Sequence, residues 1–463
     1  VLEEVLKNKS LFEDNEIIDN LKASLKEAEK NNIIRNVSKG RYLFKHSMQH
    51  EVIYEMQLHT RLKALHEVIA DSIERIFQNR LQQRYVDLVF HYERAEITEK
   101  TKEYLLRSGD FFKDNFQNNQ AYQYFKRLLD IVLIDEDYAA HFKALIRIGE
   151  ILQITGKWDE AGETYGEALH LSKKLNSKTL MGRANNSLGY LNLLLGNYRN
   201  AEFYFDTAIE LFSLINDKVG ASKVSGNLGL LYFRKAEYKE AEIHFINSLK
   251  RSKEVGYRDK NAQIVANLAL TYMNLGDYDR GITYLDEQII ECSAIGDKTG
   301  IANLSINKGI LLTEKGENER AQESLEVGIK LAEELDNKRL KAIATGSLGS
   351  LHEQKGYYKM AMDFYLKDLQ LTKELGDKQG ISIALNLIGN LQSKMGEFDE
   401  AIATLEDAID RSEKLDYKKG KAKAVNTLGD VYYFLKDYPK SLNYYDQAIQ
   451  LTKITQNQRR VSI

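Results

Sequence analysis

Seven glycines stand in one register at intervals of 40 residues: Gly149, Gly189, Gly229, Gly309, Gly349, Gly389 and Gly429, with Ala269 in the slot between Gly229 and Gly309. A second register holds Trp158, Tyr198, Tyr238, Tyr278, Tyr358, Phe398 and Tyr438. A third holds Ala161, Ala201, Ala241, Ala321, Ala361 and Ala401. Small residues fit where two helices touch, and large ones where a gap has to be filled. A fixed period in this range admits few folds. It describes one unit copied along the chain, each copy with more apolar surface than it can bury alone, so that it must stack on the next. The stretch 225–245, SGNLGLLYFRKAEYKEAEIHF, reads as two helices joined by a tight turn.

The turns follow the same period. Gly156, Gly196, Gly276, Gly316, Gly356 and Gly396 stand where a first helix ends and a left-handed residue is easiest. Ala236 and Lys436 occupy this slot in two copies, so those turns are expected to be less regular. Gly-Asp-Lys at 296–298 and 376–378, and Asn-Asp-Lys at 216–218, end one copy and start the next, with the aspartate placed to cap free amides. Phe205, Phe245, Tyr365 and Tyr445 are expected to fill the gap between stacked helices.

Composition agrees. Only Pro439 could interrupt a helix, and 43% of the residues are hydrophobic. The net charge of −3, from 65 basic and 68 acidic residues, argues against a broad nucleic-acid footprint. Cys292 is the single cysteine, which excludes a disulfide framework and fits a small buried side chain in a reducing, cytoplasmic setting. No run of about 18 apolar residues is present, so no membrane span is expected. The chain opens on Val1 and not on Met, and it is read as a segment of a longer protein.

The first 55 residues differ from the rest. Ile17, Ile18, Leu21, Leu25 and Ala28 have helical spacing. Two short apolar runs, 33–37 and 41–44, flank Ser38-Lys39-Gly40 and predict a hairpin. Helix followed by hairpin suggests a winged helix, although the helix carries no basic face for DNA. His46, His50 and Glu51, and His66 with Glu67, invite a metal reading. Neither completes H-E-x-x-H, because Tyr54 and Ala70 stand where the second histidine belongs, so no metal site is expected.

The 40-residue registers resemble the tetratricopeptide-repeat signature over about three quarters of the chain, in a form similar to cell-polarity adaptors of the Pins type. The segment 44–96 carries Phe44, His46, Glu51, Tyr54, Arg61, Leu65, His66, Ile69, Ala70, His91, Tyr92, Glu93 and Ala95. It resembles the winged-helix-like segment that follows the ATPase domain in STAND-type and AAA-type signalling ATPases, including cyclase- and kinase-linked ones. The resemblance implies an all-α fold: a right-handed superhelix, or α-solenoid, behind a small winged-helix-like domain with one short hairpin. The expected order is that domain over 1–55, a helical connector over 56–97, a degenerate first repeat over 98–136, eight regular repeats over 137–455 and a tail over 456–463. No G-x-x-x-x-G-K-[ST] loop occurs, so these residues have no means of cradling a nucleotide.

Positions six and two before each register glycine, and one and four after it, share one face of the first helix. That stripe carries Arg183, Tyr190, Lys223, Asn227, Leu230, Phe233, Asn267, Leu270, Met273 and Asn307, with Leu194 and Arg234 beside it. Asparagine can hold an extended peptide through its amide. Tetratricopeptide clamps pair such an asparagine with a basic residue four earlier. Arg183 and Lys223 fit, but Gln263 and Asn303 follow, so carboxylate recognition is incomplete. These twelve residues are the expected groove for a protein or peptide segment, from a partner or from the same protein, with asparagine bonding to a neighbouring helix as the competing explanation. The expected function is a non-catalytic interaction and sensor module of a signalling ATPase, without a cofactor. The alternatives are a free-standing polarity-type adaptor and a winged-helix DNA-binding regulator.

Overall fold

The computed structural model describes residues 16–38, 41–115, 117–257, 261–415 and 417–461. Among them are 22 α-helices and one two-stranded antiparallel sheet. Helix α1 (Glu16–Lys30) leads into β1 (Ile34–Ser38) and β2 (Arg41–Phe44). Ile34 faces Phe44 and Asn36 faces Tyr42. Lys39 and Gly40, expected at the hairpin turn, lie outside the described residues. Helices α2 (Ser47–Glu55) and α3 (His59–Ile76), a 3-10 turn (Gln78–Arg84) and α4 (Tyr85–Arg94) follow. Then come nine helix pairs. The first two are α5 (Thr98–Asp114) with α6 (Asn118–Asp135), and α7 (Tyr138–Ile154) with α8 (Trp158–Lys174).

The chain divides into two compact units, Val1–Asn176 and Ser177–Ile463. In the first, α3 and α4 share one core with the following helices. Ala70, Ile73, Leu88, Val89 and Tyr92 pack with Tyr104, Leu105, Leu128, Val132 and Ala144. The segment before the repeats is therefore built onto them, through rings such as Tyr92 stacked on Tyr104 at 5.6 Å.

The second unit holds α9 (Lys178–Leu194), α10 (Tyr198–Leu214), α11 (Lys218–Arg234), α12 (Tyr238–Glu254), α13 (Asn261–Leu275), α14 (Tyr278–Ile295), α15 (Lys298–Lys315), α16 (Asn318–Glu334), α17 (Lys338–Gln354), α18 (Tyr358–Leu375), α19 (Lys378–Met395), α20 (Phe398–Lys414), α21 (Lys418–Phe434) and α22 (Tyr438–Val461). Each pair is closed by one contact, repeated along the array. A Cβ added to Gly229 would lie 2.6 Å from the Phe245 ring, and one added to Gly189 would lie 2.6 Å from Phe205. Tyr365 and Tyr445 press on Gly349 and Gly429 in the same way. The register glycine is thus a seat for a ring or a leucine sixteen residues on. Burying such a side chain contributes roughly 1.5–3 kcal/mol. Exposed ion pairs also recur, Lys218–Glu254, Lys298–Glu334 and Lys338–Glu374 at 2.8–2.9 Å. Each contributes only about 0–1 kcal/mol, so the packed rings dominate.

The aspartates at the repeat boundaries cap as expected: Asp217, Asp297 and Asp377 accept from the amides of Gly220, Gly300 and Gly380 at 2.8–2.9 Å. The expected irregularity at Ala236 and Lys436 is not found. Both adopt the left-handed conformation, with φ +60° and +62°, as Gly196 does at +77°. Ala236 N–H bonds Phe233 O and Glu237 N–H bonds Tyr232 O, repeating the pattern of Gly196 and Asn197. The flanking helices hold the turn in place, and the side chain bears the strain, which costs roughly 1–2 kcal/mol for a non-glycine residue. Ala236→Gly is therefore expected to raise stability by about 0.5–1 kcal/mol, the strain relieved less the entropy glycine loses. A urea midpoint that falls in this variant would contradict the account.

Candidate functional site

First helices touch first helices. α9 packs on α11, α11 on α13, α13 on α15, α15 on α17 and α19 on α21. These contacts make a layer whose free face carries the stripe read from the sequence. The contacts between α11 and α13 and between α17 and α19 are the slightest in this series.

The twelve expected groove residues all lie on α9, α11, α13 and α15. Arg183, Lys223 and Arg234 are exposed, and Leu194 is 38% exposed. The Lys223 ammonium sits 5.1 Å from the centre of the Tyr257 ring. Tyr190, Leu230, Phe233, Leu270 and Met273 are half-buried against the cores beneath them. Leu193, four residues after Gly189 and so at the same spacing, is buried at 4% exposure and offers a ligand nothing. Phe233 packs edge-on against Tyr238 at 5.7 Å. The asparagines bond inside the array. Asn227 Nδ2 donates to Asn186 Oδ1 at 2.8 Å, joining α11 to α9. Asn307 Nδ2 donates to Asn303 O at 2.8 Å, and Asn267 Oδ1 accepts from Gln263 Nε2 at 3.3 Å.

Three recesses lie further along the array. A cleft of about 610 Å³ runs between Gln263, Gln288, Asn303, Arg339 and Ile343. One of about 470 Å³ follows between α17 and α19, lined by Arg339, Ile343, Gly346, Asp368, Ile383 and Leu387. A third, of about 750 Å³, is lined by Ile383, Leu387, Asn390, Lys419, Lys423 and Asn426. Consecutive clefts share lining residues: Arg339 and Ile343, then Ile383 and Leu387. None of the twelve expected residues lines these three.

Ile343 and Ile383 occupy the slot that Arg183 and Lys223 hold earlier in the array. They are 46% and 41% exposed and stand at the two junctions between clefts. Nearby, Glu353 gathers a polar cluster. Its carboxylate accepts from Tyr365 Oη at 2.6 Å, Lys394 Nζ at 2.8 Å and Asn390 Nδ2 at 3.1 Å. Asp368 differs from all of these. It is 8% exposed, lines the middle cleft, and its carboxylate has no hydrogen-bond or ion partner among the described residues. Burial pushes its pKa up to about 7, with help from the Asp377 carboxylate. Asp368 lies on a second helix and so off the first-helix stripe, yet the period marks it. The same slot holds Ala168, Ala208, Ser248, Gln288, Gly328, Ala408 and Ala448. Only Asp368 is charged.

Cys292 is buried at 2% exposure, within an apolar cluster. In the first unit, the structure brings together residues singled out at 44–96. Tyr54 Oη bonds His66 Nε2 at 2.9 Å, and His66 Nδ1 bonds His91 Nδ1 at 2.8 Å. Arg94 donates to Tyr54 Oη at 3.1 Å. Burial, then the neighbouring His66, lowers the His91 pKa to about 4. Burial and Arg94 lower that of His66. Both imidazoles are neutral at neutral pH, and their bonds account for their placement. His46 caps α2 with an extended backbone (φ −130°) and so does not share a helical face with His50, whose side chain is not described.

Tetratricopeptide-repeat family models match residues 141–213, 262–289, 344–379 and 380–454. No curated protein matches in sequence. Among solved structures, the fold is similar to a Rap protein complexed with Competence and Sporulation Factor: TM-score 0.54, 14% identity, 77% of this chain and 99% of that one. It is similar also to aspartyl phosphate phosphatase F from Bacillus subtilis: TM-score 0.51, 15% identity, 77% of this chain and 95% of that one. A third is a STAND signal-transduction ATPase with a tetratricopeptide-repeat sensor from Pyrococcus horikoshii: TM-score 0.56, 17% identity, 100% of this chain but 65% of that one. At these identities the likeness is one of fold. The repeating glycine seats, the capped boundaries and the matched family models agree that this chain carries an array of tetratricopeptide repeats.

Proposed function

We propose that the chain is a protein-interaction and sensor module of a larger signalling ATPase, and that it holds a peptide or protein segment, from a partner or from its own protein, along the first-helix layer. The observation that carries this reading is the run of three neighbouring clefts that share lining residues, with apolar side chains exposed where they meet. A continuous trough suits an extended chain, which presents side chains at regular intervals to successive recesses. Two neighbours support it. One is a Rap protein complexed with Competence and Sporulation Factor. The other combines a STAND ATPase with a repeat sensor, and its match extends over 100% of this chain. The half-buried stripe at Tyr190, Leu230, Phe233, Leu270 and Met273, with Arg183, Lys223 and Arg234 beside it, is included as an extension of the same face.

Selection of random 12-residue peptides displayed on phage, followed by affinity measurement of a recovered sequence, tests the reading. Ile343→Arg and Ile383→Arg are expected to weaken binding about tenfold or more, since each places a charge in an apolar contact. Leu230→Ser with Phe233→Ser, compared at equal thermal stability, reports whether the earlier stripe takes part. If wild-type protein retains no peptide, or if recovered peptides bind the Ile343 and Ile383 variants unchanged, the trough is not a peptide site.

A further inference from the structure

The middle cleft contains one feature that a general peptide trough does not require. Asp368 is a buried carboxylate without a partner, and such a group is costly in a folded chain. Its neighbours in the repeat register are small or neutral. At Ser248 the hydroxyl is satisfied by Ser222 across the helix pair. At Gly328 the space is filled by Ile306. At Asp368 neither happens, because Gly346 stands where Ile306 stands one repeat earlier. A Cβ on Gly346 would lie 2.9 Å from Asp368 Oδ2. The missing side chain leaves that oxygen open to the cleft between α17 and α19.

We propose that the cleft bounded by Gly346, Asp368 and Ile383 is a recognition pocket for a cationic side chain, a lysine or arginine of the bound segment, with the Asp368 carboxylate as its counter-ion. This rests on the reading of the array as a peptide-binding module. A metal ion fits less well. Among the described residues no three His, Cys, Asp or Glu side chains are grouped, and one carboxylate does not supply the oxygens that a hard cation takes. An ammonium or guanidinium brings its own donors on an apolar stem, and the stem matches the aliphatic walls Ile343, Ile383 and Leu387. Arg339 lines the same cleft and Lys419 and Lys423 the next. The segment is thus expected to carry its basic residue at Asp368, apolar residues over Ile343 and Ile383, and acidic ones towards Lys423.

The probe is the phage-displayed library of random 12-residue peptides, selected in parallel on the whole wild-type chain, on Asp368→Asn and on Gly346→Ala. Asn is a neutral isostere, and Ala at 346 covers the carboxylate from the cleft side, so the two variants block the pocket by different routes. A basic residue at one fixed position is expected from the wild type and from neither variant. Replacing that residue by norleucine in one recovered peptide should weaken binding to wild type about 30-fold and to Asp368→Asn less than about threefold. Peptides recovered without a basic preference, or with one that survives in Asp368→Asn, overturn the pocket and leave the trough standing. If wild type recovers no peptide, both fall.

Discussion

Gly229→Leu is expected to destabilise the array by about 1–3 kcal/mol, read as a lower urea midpoint and as faster hydrogen exchange in α11 and α12. Gly229 is a matter of space and not of backbone freedom, because it sits inside a helix. The first added carbon would meet Phe245 Cδ1 at 2.6 Å, and Phe245 is fully buried, so the ring has nowhere to turn. Removing the ring does not cure the defect cheaply either. Phe245→Ala alone is expected to cost about 3–5 kcal/mol through the cavity it leaves. The array shows its own solution one repeat later, where Ala269 and Leu285 replace the glycine and the phenylalanine and both remain fully buried. Gly229→Ala with Phe245→Leu should therefore be less damaging than the sum of the two single changes, by about 1–2 kcal/mol of coupling. If the two changes are merely additive, the ring does not rest on that glycine in solution.

That pair also shows why so much of the fold is legible in the residues. A contact that repeats every 40 positions is read many times over, and a degenerate copy such as Ala269 with Leu285 is recognised by its neighbours. The turn at Ala236 departs from its expectation for the opposite reason. It is a single residue whose own preference opposes the turn, and the two packed helices on either side determine the conformation. The site was harder to read. Spacing places Leu230, Phe233 and Met273 on one face of a helix, but it does not say how far the next first helix closes over that face. Those side chains are half-buried, whereas the clefts open further along, between residues of three or more helices. The space between helices is a tertiary property, and no pattern within one helix contains it. Asp368 is another matter: a charge among Ala, Ser, Gln and Gly at one register position is visible without coordinates.

Asp368→Asn is expected to stabilise the protein, and the gain should grow as pH rises from about 4 to about 7 and then hold constant. The sign follows from burial. The folded-state pKa is raised from 3.8 to about 7, so folding disfavours the charged form. Below about pH 4 the carboxyl is protonated in both states and costs nothing. Above about pH 7 it is charged in both, and the folded state bears the whole penalty, on the order of 2–4 kcal/mol. The ionisable groups around it do not reverse this. Asp377, at the start of α19, adds repulsion; Tyr365 on the same helix is neutral; Arg339 lines the same cleft but makes no ion pair with the carboxylate. A residue that weakens the fold at neutral pH, at a register position where alanine serves other repeats, is best explained by what it holds when the cleft is filled. A basic peptide should accordingly release protons from wild-type protein near pH 6.5, seen as a buffer-dependent binding enthalpy, and release none from Asp368→Asn. Thermal melts that show the same difference between wild type and Asp368→Asn at pH 5 and pH 8 would mean the carboxylate is already paired, and the pocket would have no charge left to offer a cation.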